Sequence, residues 1–77
     1  MTIAEHDLVV LTRHLPEHRL RAGDVGAVVH VYSQDAAYEV EFVTGGGQTL
    51  PVETLDPADV RPLGATEILH SRSVAAA

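Results

Sequence analysis

The chain has 77 residues, no cysteine, and eleven acidic side chains against five basic ones, for a formal net charge of -6. Such a length supports one domain at most, and a single core that buries about 60% of the unfolded surface has to stabilise it. Without cysteine there are no disulfides, thiolate chemistry or cysteine-held zinc, and the acidic balance disfavours polyanionic partners such as nucleic acid or an anionic membrane.

Strand signals dominate in chain order. Asp7 to Thr12 (DLVVLT) is a short valine-rich run, as expected of a strand buried on both faces. Arg13 to Gly23 (RHLPEHRLRAG) is polar and holds Pro16, so it reads as a long irregular loop ending at a glycine. Asp24 to Tyr32 (DVGAVVHVY) is a second strand, with Val25, Ala27, Val29 and Val31 on one face and Val28, His30 and Tyr32 on the other. Gly26 inside it marks a bulge or a tight corner.

Ser33 to Ala36 is a turn, and Ala37 to Val43 (AYEVEFV) alternates most clearly, with Tyr38, Val40 and Phe42 facing a core. Thr44 to Gly47 is the next turn, and Gln48 to Glu53 a fourth strand that Pro51 makes an edge or a bulged one. Asp56 to Asp59 reads as a helical turn capped by Asp56 with Pro57 at its start, before a short closing strand from Val60 to Leu63.

This order predicts an all-β domain over residues 1–64, a five-stranded SH3-like barrel with a long first loop and a helical turn before the last strand. The expected core is Val9, Leu11, Val25, Val29, Val31, Tyr38, Val40, Phe42, Leu50 and Val60, and residues 65–77 are expected to be a flexible tail. No apolar run approaches the ~20 residues that span a bilayer. Met1 to Asp7 has no basic stretch followed by an apolar one, so it does not read as a secretory signal, and a cytoplasmic location is the expectation.

The runs LVVLTRHLPEHRLRAGDVGAVVHVY, AYEVEFV and DVRPL together resemble the bacterial family of domain of unknown function 4926, over Asp7 to Leu63. The most specific part is LPEHRLRAGDVGAVVHVY. The resemblance implies a small stand-alone SH3-like barrel and no established activity. The Gly23-Asp24-Val25-Gly26 turn is also similar to that of other SH3-like barrels, including the β-subunit domain of nitrile hydratases. Some family members are encoded beside toxin-like genes, so the resemblance also implies an immunity or antitoxin role as one form of binding.

Chemistry-bearing residues gather in the first loop. Arg13, Arg19 and Arg21 beside His14 and His18 form a candidate partner-binding patch, since arginine suits bidentate contact with carboxylate or phosphate. The alternative is a solvated loop whose arginines pair with Glu17, Asp7 and Asp24. His14 and His18 have the four-residue spacing of a helical zinc pair, but Pro16 between them breaks the helix that spacing needs, and no metal or other cofactor is expected. Glu39 and Glu41 lie on an outward face and Gly45-Gly46-Gly47 lacks the lysine of a phosphate loop, while two tyrosines and one phenylalanine furnish an SH3 peptide groove poorly. The serines are in a turn and in the tail, and no acid, base or nucleophile set converges. A protein-binding module rather than an enzyme is the expectation. A self-assembling homodimer and an accessory protein to an enzyme are the alternatives.

Overall fold

Runs of valine, leucine and tyrosine form the strands, and glycine, proline and aspartate break them. The strands are β1 (Leu8–Leu11), β2 (Val25–Val31), β3 (Tyr38–Val43), β4 (Thr49–Leu55) and β5 (Val60–Pro62). They form one antiparallel sheet in the order β4-β3-β2-β1-β5 in a computed structural model that describes residues 2–74, with backbone only at 51–53. The only helical pieces among the described residues are 3-10 turns at Pro16–His18, Ser33–Asp35 and Pro57–Asp59. β4 and β5 are the two edges of the sheet and do not pair with each other, so the expected barrel is open along its hydrogen-bonding direction.

The alternation in β3 buries Tyr38, Val40 and Phe42, and the valine-rich β1 is buried on both faces at Val9, Val10 and Leu11. Leu50 and Val60 join the core as expected. The face assigned to β2 is corrected. Gly26 and Val28 point inward, Val25 and Val31 are half-buried, and Val29 is 40% exposed. The cause is a β-bulge: Val28 faces Val40 and His30 faces Glu39, so Val29 is an extra residue on β2. The slip keeps His30 outside and turns Val31 back towards the core.

A second register shift lies opposite Glu41, where two residues of β4 fall between the Leu50 and Glu53 pairings. It coincides with Pro51, on the strand that forms the sheet edge. The core also takes in Ile3, Leu15, Leu20 and Leu55, none of them expected there. Beyond Gly64, the stretch expected to be a flexible tail places Val74 against the core, and residues 75–77 of that expectation lie outside the described residues.

Candidate functional site

The segment joining β1 to β2 is a loop fixed at four places. Leu15 and Leu20 are both buried and exchange two backbone hydrogen bonds, Leu15 N–H to Leu20 O at 2.9 Å and Leu20 N–H to Leu15 O at 3.1 Å. The Pro16–His18 turn fits between them, with the proline at its start and Arg19 closing it in the left-handed region at φ 61°. At one end the Leu11 carbonyl accepts from Gly23, whose φ of +97° suits a residue without Cβ. At the other, Thr12 donates its N–H to the Asp59 carbonyl (2.8 Å) and its hydroxyl to the Ala58 carbonyl (2.7 Å).

Within this frame the five candidate residues separate. Arg13 turns away to Asp59, with its Nε 2.7 Å from Oδ1. That hydrogen bond outweighs burial and holds the Asp59 carboxyl below its ordinary value, while its Oδ2 accepts the Asp56 N–H that starts the Pro57–Asp59 turn. His18 lies 3.9 Å from Glu17. His14, Arg19 and Arg21 are brought together with Pro16, Leu20 and Arg72 around a recess of about 420 Å³. Among the described residues no acidic side chain lines it, and no three histidine, aspartate or glutamate side chains converge as a metal cluster would require.

Arg72 comes from the stretch after Gly64 and was not among the expected site residues. Its Nε and Nη2 grip the Asp24 carboxylate at 2.8 and 2.5 Å, and Nη2 also donates to the Arg19 carbonyl at 3.0 Å. Asp24 in turn accepts the Arg21 N–H at 2.8 Å. Burial alone would push the Asp24 carboxyl up, but these hydrogen bonds and the arginine charges outweigh it and leave it lowered. Arg61 is also paired, forking onto Glu67 with both contacts at 2.7 Å. Together with the Gly64 N–H, that fork takes the Glu67 carboxyl down to about 2.

A second polar group sits at the far end of β2. The Tyr32 hydroxyl donates to Glu39, and His30 packs edge-on against Tyr32 at 4.7 Å and lies 3.8 Å from Glu5. The Glu39 hydrogen bond raises the Tyr32 hydroxyl above its ordinary value. This group is open to solvent and pairs acid with base, so it fastens the hairpin and carries no reactive set.

The family model described as Domain of unknown function (DUF4926) matches residues 5–62, which takes in the whole first loop and all five strands. No curated protein and no solved structure matches the chain.

Proposed function

The chain belongs to the family of domain of unknown function 4926, and we propose that it is a small cytoplasmic SH3-like module that binds a protein partner through its first loop. The SH3-like reading is supported by the strand order, the long loop between β1 and β2, and the 3-10 turn that precedes β5. The observation that carries the function is the loop's construction: Leu15 and Leu20 are buried while His14 and Arg21 beside them are exposed. A loop of this length, pinned by core leucines, is a presentation device for side chains that the scaffold does not itself need.

Binding is favoured over catalysis because the carboxylates held below their ordinary values are each fastened to an arginine, Asp59 to Arg13, Asp24 to Arg72 and Glu67 to Arg61. The net charge of -6 favours a protein partner over nucleic acid or an anionic membrane. No helix among the described residues is long and apolar enough to cross a membrane. An immunity role towards a toxin-like partner is one form such binding takes. A homodimer is the second reading, favoured by β4, which among the described residues has β3 on one side and no strand on the other.

The test is the substitution Arg21→Ala in the tagged protein expressed in its native cell. Wild type is expected to retain a specific partner through crosslinking and purification, and the variant to lose it with an unchanged melting temperature, since exposed side chains contribute within about 0.5 kcal/mol. Retention of the same partner by a folded variant refutes the reading.

A further inference from the structure

Arginine is scarce in this chain, and its placement is uneven. Arg13, Arg61 and Arg72 are held by carboxylates of the same chain. The Arg21 guanidinium has no ion-pair partner among the described residues, although its backbone N–H is taken by Asp24. It stands at the recess that His14, Pro16, Arg19, Leu20 and Arg72 complete.

We infer that this recess is a binding site for a single carboxylate on an acidic peptide segment. The inference rests on the reading of the first loop as the partner-facing surface and specifies its ligand. Arg72 forks onto Asp24 beside the recess, and the same carboxylate also feels the Arg21 charge, so the two guanidiniums outnumber the one carboxylate in a chain that is acidic overall. A guanidinium matches a carboxylate in plane and spacing, and the Arg72–Asp24 fork shows the same match within the chain.

His14 adds direction. The Ala22 N–H donates to its Nδ1 at 3.1 Å, so Nδ1 is the acceptor nitrogen and the ring proton resides on Nε2, a donor. Pro16 and the buried Leu20 line the recess with apolar surface for the aliphatic stem that carries a glutamate or aspartate carboxyl. A peptide carboxylate brings one negative charge, whereas a phosphate brings close to two and meets more repulsion from a body of charge -6.

The experiment titrates the full-length protein, followed by the backbone amide resonances, with three probes: acetyl-Ala-Glu-Ala-amide, acetyl-Ala-Gln-Ala-amide and inorganic phosphate. The glutamate peptide is expected to give saturable shifts at Leu20, Arg21 and Ala22, and the glutamine peptide none. Phosphate is expected to bind more weakly than the glutamate peptide. Arg21→Gln should weaken the glutamate peptide about tenfold, the loss expected for a hydrogen bond to a charged group. Arg61→Gln, at a residue committed to Glu67, should leave binding unchanged. Equal response to the glutamine peptide, tighter binding of phosphate, or unchanged binding by folded Arg21→Gln overturns the assignment. If loop substitutions abolish partner capture while no glutamate peptide binds, the binding-module reading stands and the carboxylate site falls.

Discussion

Gly26 is the residue whose side chain the fold can least accept. A Cβ built there would lie 2.6 Å from Val40 Cγ1, 2.8 Å from Phe42 Cε1 and 2.9 Å from the Glu41 carbonyl oxygen, and these atoms belong to core residues and to backbone. Gly26→Ala is expected to cost about 1–3 kcal/mol in urea unfolding, the range of core overpacking, whereas Gly45→Ala, with open space around its site, stays within about 0.5 kcal/mol. Asp24 is one residue that ties stability to pH. Its folded carboxyl lies below its ordinary value, so its contribution is complete above about pH 4 and is lost as the pH falls through the lowered folded value. Asp59 follows the same sign. Melting temperatures from pH 7 to pH 2 should therefore fall at the acid end, and Asp24→Asn should be less stable at pH 7 with a shallower acid decline.

Among the elements, β3 and β2 show how far a pattern can be read. In β3 the residues between the buried positions are glutamates, so the alternation has one interpretation, and Tyr38, Val40 and Phe42 are all core. β2 carries valines on both faces, and its valine-only face looks like the inner one until the extra residue at Val29 reverses the outcome. A bulge depends on how the partner strand registers, which the β2 sequence alone does not encode. Val28→Ala is expected to cost about 2 kcal/mol, because Val28 is fully buried, while Val29→Thr at its half-exposed neighbour stays within about 0.5 kcal/mol. Equal costs at the two positions, measured by urea unfolding, would contradict the bulge.

The first loop was legible as a loop and as the site of the cationic side chains, but not in its anchoring. Leu15 precedes a proline and Leu20 stands between two arginines, so neither belongs to a periodic pattern that marks core. Arg72 escaped for a different reason: its partner Asp24 lies 48 positions away, and only the folded chain brings them together.

At the scale of the molecule, two distinct surfaces bear on the proposed binding, the cationic first loop and the side of β4 that pairs with no strand among the described residues. The strand expected at an edge, Gln48 to Glu53, is the contact a homodimer would use; it includes residues 51–53, whose side chains lie outside the described residues, while the backbone places β4 at the rim. A loop-bound partner and an edge-bound copy leave different footprints. Edge pairing would satisfy the outward N–H groups of β4, whereas loop binding would slow exchange between Arg13 and Gly23. The most direct test of the partner-binding account is amide hydrogen exchange on the protein within the complex purified from its native cell, compared with the protein alone. The account predicts new protection concentrated in residues 13–23, with β4 unchanged. Protection confined to β4, with the first loop exchanging as in the free protein, would contradict it.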